Sequence, residues 1–295
     1  MTSWPIGLST GCFYHQSILD CLPLIRESGF SMIEVCSTPE HLNFHDLKSA
    51  HRAAERIKEL GMEAYSFHAP FAPNIDIASS DSAQRAASVA EIFKAAEAAA
   101  ILRVHYFVLH PGPENPAAIS PEEQLPRMQH VVESLNQVAR RCKELGIICV
   151  LENKLPHLLF GNTSDILWIL DGINTAEVGV CLDTGHAFLA GDMHNLVHKL
   201  AAHLRMIHAH DNGGTDDNHW PPGDGKIDWE KFLRDLIEAR FRGALILEMA
   251  GNNDPAVTMA NARRGRAYLR EIATQSLAFH SLGRTESQAP APRQF

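Results

Sequence analysis

The 295-residue chain carries 26 Lys and Arg against 35 Asp and Glu, a formal net charge of −9, which weighs against a broad nucleic-acid-binding surface without excluding a local basic cleft. Its 45% apolar and 21% charged residues are ordinary for a globular protein, enough for one large α/β domain or two small ones. No run approaches the roughly 18 apolar residues of a membrane span, and MTSWPIGLST at the start lacks a signal-peptide pattern, so a cytoplasmic protein without a membrane partner is expected.

In chain order, short β-like runs alternate with longer helical patterns. The strand candidates are PIGLS (5–9), SMIEV (31–35), MEAYSF (62–67), HYFVL (105–109), IICVL (147–151), VGVCL (178–182), RMIHA (205–209) and ALILE (244–248). Helical stretches between them include 46–60, the alanine-rich 83–100, 121–145 and 228–240, with a last helix expected over 256–277. Gly29, Gly61 and Gly146 stand just past helix ends, where a left-handed cap suits glycine, and Asp228 and Thr163 stand at N-cap positions. The six cysteines form no CxxC pair and are expected to be reduced, mostly buried thiols.

Eight βα units in about 250 residues predict a single (β/α)8 TIM barrel over residues 1–280, followed by a flexible tail over 281–295. A doubly wound sheet would also alternate, but no GxGxxG turn follows the first strand.

Six consecutive strands run out into metal-competent side chains: His68, His110, Glu152, Asp183 with His186, the HAHDN stretch (208–212), and Glu248. In a barrel these C-terminal ends converge on one mouth. Three carboxylates and several imidazoles gathered there would repel or stay unsatisfied without a cation, so a divalent metal is the economical account. Mixed carboxylate and imidazole ligation suits Mn²⁺, Zn²⁺, Co²⁺ or Fe²⁺. His208 and His210 are two apart and share a face, so the residues alone leave open which is the ligand. His194 and His198 are one helical turn apart without the Glu of HExxH and are read as a surface helix, as are His41, His45, His51, His130 and His203. Cys181 shares a face with Asp183 and is expected inside the barrel.

These motifs resemble the xylose-isomerase-like TIM barrels, the superfamily that joins sugar isomerases and epimerases to the type IV apurinic/apyrimidinic endonucleases (AP endonuclease family 2). The resemblance covers residues 6–250 and is strongest in VGVCLDTGHAFLAGD (178–192) and IHAHDNGGTDDNHWPPGDGKIDW (207–229). It implies a four-ligand core of Glu152, Asp183, His208 and Glu248, the first histidine of H-x-x-D-N being the ligand. It also implies further ligands that the trinuclear endonucleases use: His68 and His110 for a second ion, and His186, Asp217 and His219 for a third. One Mn²⁺ or Zn²⁺ ion is thus expected, with ligands present for two or three.

IGLSTGCF (6–13) and GFSMIEV (29–35), with Glu34 late in the second strand, look like the sugar-isomerase branch. The loops 36–46 and 69–84 contain no Arg or Lys, whereas a DNA-bending protein needs cationic contacts near the mouth. The basic cluster Arg263, Arg264 and Arg266 falls on the last helix, toward the barrel flank. The resemblance therefore implies a metal-dependent sugar or sugar-phosphate isomerase/epimerase. It would abstract a proton next to a carbonyl with a metal-stabilised enediolate, with Glu152 and Glu248 as acid/base pair. His186 would bind a substrate hydroxyl, and Lys154, Trp220 and Asp211 would be substrate-side neighbours. The partner is a small carbohydrate, and an oligomer is compatible with the sequence. The alternatives are an apurinic/apyrimidinic endonuclease, with nucleic acid as partner, and a lyase or dehydratase on the same metal core.

Overall fold

A computed structural model describes residues 4–114, 119–173, 178–191 and 193–286. The strands are β1 (Ile6–Ser9), β2 (Met32–Cys36), β3 (Glu63–His68), β4 (Tyr106–Leu109), β5 (Ile148–Glu152), β6 (Val178–Asp183), β7 (Leu204–Ala209) and β8 (Ala244–Leu247). All pair in parallel with their sequence neighbours, and β1 pairs with β8, so the sheet closes into an eight-stranded barrel. The helices that cover it are α1 (Ile18–Glu27), α2 (Leu47–Glu59), α3 (Ser82–Leu102), α4 (Pro121–Glu144) and α5 (Thr163–Gly172), then α6 (Thr184–Leu189), α7 (Met193–Leu200), α8 (Trp229–Glu238) and α9 (Pro255–Glu286). Among the described residues, no helix is long and apolar enough to cross a membrane.

Because side chains alternate across a strand, each strand divides its residues between two cores. One set, such as Leu8, Phe107, Leu151, Leu182 and Ile207, packs outward against the helices. The other fills the barrel, where Val108, Val150, Cys181, Met206 and Ile246 form a separate buried cluster. The inward rows continue toward the mouth at every second residue, from Val150 to Glu152, Cys181 to Asp183, Met206 to His208 and Ile246 to Glu248. Apolar packing at mid-barrel thus hands over to chemistry at the C-terminal end.

The local signals mostly act where the sequence places them. Gly29, Gly61 and Gly146 take φ of +83°, +61° and +76° after their helices. The Asp46, Asp81 and Asp228 side chains cap α2, α3 and α8. At α5 the cap is Asn162, which accepts from Asp165 N at 3.0 Å, and Thr163 is the first helical residue instead. The last helix begins at Pro255 and continues to Glu286, beyond the expected 277; residues 287–295 lie outside the described ones. All six cysteines are free and buried, and burial pushes the Cys21 and Cys36 thiols up to about 12, which leaves them poor nucleophiles.

Candidate metal centre

The inward rows bring Glu152, Asp183, His208 and Glu248 together, one ligand atom of each within 4.8 Å of the others. Glu152, Asp183 and His208 are essentially buried, and Glu248 keeps 22% of its side chain exposed toward the mouth. Both glutamates approach His208 Nδ1, Glu152 Oε1 at 3.3 Å and Glu248 Oε2 at 3.0 Å. Neither His208 Nδ1 nor Glu248 Oε2 has a hydrogen-bond partner. Two buried polar atoms left facing each other in this way suit a shared cation.

His68 and His110 flank this core. Each places Nε2 at 3.2 Å from Glu152 Oε2, so Glu152 touches both neighbourhoods. On the other side the loop after β7 carries Asp217 and His219 back over the mouth. Asp217 Oδ2 lies 3.2 Å from His186 Nε2 and 3.0 Å from His219 Nε2. His219 adopts φ of +49°, a left-handed conformation that costs a non-glycine residue about 1–3 kcal/mol and that tertiary contacts must hold in place.

The imidazoles are aimed by what holds their other nitrogen. Nδ1 of His68 donates to Ala69 O at 2.9 Å, and Nδ1 of His110 to Glu114 Oε1 at 2.7 Å. Nδ1 of His186 donates to Asn153 O at 2.8 Å, and Nδ1 of His219 to Glu248 O at 2.8 Å. All four therefore present Nε2 to the carboxylates. His208 is turned the other way, its Nε2 donating to Glu34 Oε2 at 2.9 Å while Nδ1 faces the core. Such outer hydrogen bonds fix the tautomer of a ligating histidine. This donor set fits divalent ions, with Glu152, Asp183, His208 and Glu248 as one set and the flanking groups as two others.

Charge follows from the same contacts. Burial pushes the Glu152 carboxyl up, but the His208 and His110 imidazoles outweigh it and hold it well below the usual range. Burial is likewise overcome at Glu248 by His208, and at Asp217 by His186 and His219. Burial lowers His68, yet Glu152 beside it raises the imidazole to about 9. Asp183 and Asp217 raise His186 to about 10, and Asp217 with Glu248 raises His219 to about 9, again against burial.

An ion held by these imidazoles would therefore displace protons. At pH 7 these three imidazoles are protonated in metal-free protein, while ligation requires them neutral. Titrating Zn²⁺ into chelator-stripped protein at pH 7 is expected to release protons and to continue past one equivalent per chain. The release should fade as pH rises through about 9 to 10. Saturation at one equivalent, seen in a weakly buffered calorimetric titration, would confine the metal to the four-residue core.

Several contributors were not legible as such. Glu34, fully buried, accepts from both His208 and Ser66, the latter at 2.8 Å. Asn153 Oδ1 accepts from Asp183 N at 2.7 Å, and its Nδ2 donates to Asp183 O at 3.0 Å, locking β5 to β6 beside the ligands. His210 Nε2 lies 2.8 Å from Asp183 Oδ2, and its ring stacks on His219 at 3.8 Å. That ring lies against Gly185, where a Cβ would sit 2.0 Å from His210 Cε1, so only glycine fits. The available signals were an acid inside the apolar MIEVC and an Asn directly after Glu152.

The expected substrate-side neighbours are placed differently from one another. Lys154 lines the chamber that holds the ligands, but its ammonium is bonded to Gly112 O at 3.0 Å and paired with Glu114 Oε1 at 2.9 Å. Asp211 is fully buried and accepts from Asn212, Gly223 and Ile227 N–H groups and from Trp229 Nε1, organising the loop after β7. Trp220 bridges to Asp211 and is 40% exposed; neither residue lines the chamber.

Among the other histidines, His194 and His198 are exposed and pair with Asp235. His41 is not on a surface helix: it is buried, bonded to Gln16 O at 2.6 Å and Thr10 Oγ1 at 2.8 Å, because the loop after β2 folds over the end of β1. Arg263, Arg264 and Arg266 lie on α9 and bond to Ser28, Asp224 and Gly29 respectively, and none of them lines the spaces at the mouth.

Residues 22–272 match the family model for the xylose isomerase-like TIM barrel. A probable endonuclease 4 of Nitratidesulfovibrio vulgaris is 30% identical over 220 residues, 68% of this chain and 74% of that protein. Fructoselysine 3-epimerase of Escherichia coli O157:H7 is 25% identical over 147 residues, 48% of this chain and 54% of its own length. Among solved structures, a D-tagatose 3-epimerase-like protein superposes with a TM-score of 0.77 at 25% identity, covering 90% of this chain and 98% of that one.

Proposed function

Because the chain belongs to the xylose isomerase-like TIM barrel family, we propose that it is a metal-dependent sugar isomerase or epimerase of the cytoplasm. The observation that carries this reading is the surface around the centre. The residues lining the groove at the mouth include no Lys or Arg, and most of the lining is apolar. A duplex bent over the mouth would need cationic contacts to its phosphates there. A small carbohydrate needs none.

Glu152 and Glu248 are the acid/base pair in this proposal. Both are held ionised, and both lie within 3.3 Å of His208 Nδ1, so they flank one small volume. One takes the proton from the carbon next to the substrate carbonyl; the other returns it, to the opposite face in an epimerisation. A carboxylate is a weak base for that task by itself. A divalent ion held by Glu152, Asp183, His208 and Glu248 would polarise the carbonyl and stabilise the negative charge developing on oxygen, a contribution of several kcal/mol. His186, fixed through Nδ1, directs Nε2 toward a substrate hydroxyl when no ion occupies its own group.

Phosphodiester cleavage at abasic DNA is the second reading, supported by the clusters around His68 and around His186, Asp217 and His219 beside the core, and by the endonuclease 4 relative. The two separate cleanly. A ketose incubated with the metal-loaded protein in D₂O is expected to gain deuterium at the carbon next to its carbonyl, while abasic duplex stays intact. Nicking of the duplex, with salt-sensitive affinity and no exchange on any ketose, would replace the sugar reading with the nuclease one.

A further inference from the structure

The centre opens onto two connected spaces of different character. The chamber, about 160 Å³, is lined by Glu152, Glu248 and the flanking ligand candidates together with Phe71, Glu114 and Lys154. That is the scale of a cavity of roughly 150 Å³ that accepts one six-membered ring. Beside it, sharing His68, Phe71, Asp217, His219 and Glu248, runs a groove of about 640 Å³. Such a volume belongs with pockets that bury drug-sized ligands, about 300–1,000 Å³.

The groove is built from the loops after β1, β2, β3, β7 and β8, and its apolar side is formed by Tyr14, Phe44, Phe71, Ile75 and Met249, with hydroxyl and amide groups interspersed. Tyr14 and Phe71 are 45% and 50% exposed, large rings turned outward at a mouth whose interior is otherwise polar. The acid on the outer wall, Glu91, is already paired with His45 Nε2 at 2.7 Å and Lys94 Nζ at 3.2 Å. The nearest ammonium in the chamber, Lys154, is held by Gly112, Pro113 and Glu114. Among the described residues, neither space therefore offers an uncommitted cation to a phosphate group.

Resting on the sugar-enzyme reading, we infer that the substrate is an uncharged carbohydrate bearing a bulky apolar substituent, such as an aryl glycoside whose carbonyl lies on a ring carbon other than the anomeric one, rather than a free or phosphorylated sugar. The sugar ring sits in the metal chamber and the substituent lies along the Tyr14–Phe71 groove. A bare hexose would leave the groove filled with water against apolar walls. A phosphate directed into it would give up its hydration without a Lys or Arg partner.

The test compares three probes on metal-loaded protein that all keep a ketone outside the anomeric centre: a 3-keto-hexose, its 6-phosphate ester and its phenyl glycoside. Each is assayed for deuterium uptake in D₂O and for binding by calorimetry. The phenyl glycoside is expected to show kcat/KM and affinity at least tenfold above the bare sugar, the scale of one apolar group in a matching pocket. The phosphate should be the poorest of the three. Tyr14→Ala, checked for unchanged metal content, should collapse the ratio between glycoside and bare sugar through KM. Exchange on all three probes with the bare sugar or the phosphate preferred would overturn the inference and leave the isomerase reading standing. If no probe exchanges, the isomerase reading falls, and binding decides the inference: tighter binding of the phenyl glycoside upholds it, and equal or absent binding ends it.

Discussion

Glu152→Gln is expected to reduce deuterium exchange on a ketose substrate by at least about 10³-fold, within the 10²–10⁴ range of a lost general acid or base and compounded by weaker metal binding. The residue sits where three demands meet. It is 1% exposed, it lies 3.2 Å from both His68 and His110, and it lies 3.3 Å from His208. Gln preserves shape but carries no charge, so it neither accepts the proton nor balances a cation. Glu248→Gln should also abolish exchange while keeping more of the metal, because Glu152, Asp183 and His208 persist and Glu248 is the partly exposed member. Metal content measured beside each rate separates the two losses. Wild-type exchange by a metal-loaded Glu152→Gln protein would remove this glutamate from the chemistry.

Glu34→Ala should weaken metal binding by 10- to 100-fold, although Glu34 belongs to none of the clustered ligand groups. Its carboxylate orients His208 through a 2.9 Å hydrogen bond and is itself met by Ser66 Oγ at 2.8 Å. Alanine leaves both buried donors without an acceptor, at about 1–3 kcal/mol each. The stability loss should appear in urea denaturation of metal-stripped protein, and the affinity loss in competition with a chelator. Glu34→Gln restores an acceptor for His208 Nε2–H and should recover much of the affinity, which a purely volumetric defect would not. Unchanged affinity in Glu34→Ala would show that packing alone holds the His208 ring.

These two residues mark the boundary between what was legible and what was not. Glu152 stands at the end of an apolar run, the fifth in a series of such runs, and its position announces itself. Glu34 lies in the middle of MIEVC, and its partner His208 is 174 residues away. Nothing local ties them; closure of the barrel does.

By itself the sequence determined the eight strands, the barrel they form and the mouth where their ends meet, because short apolar runs between helical patterns, and the polar residues that end them, are local signals. Its helix stops at Gly29, Gly61 and Gly146 were legible for the same reason, since a left-handed φ is a property of the residue and its neighbours. Only the tertiary structure decided which imidazole nitrogen faces inward, because that depends on partners from other strands: Asn153 for His186, Glu114 for His110 and Glu34 for His208. It also distinguished His208 from His210, two residues on one face of β7 and its extension. The first faces Glu152 and Glu248; the second turns to Asp183 across Gly185. His41 was hidden from the sequence in the same way, because burial of a loop depends on what folds over it. The groove is a product of five separate loops, and a surface assembled from distant segments has no signature in any one of them.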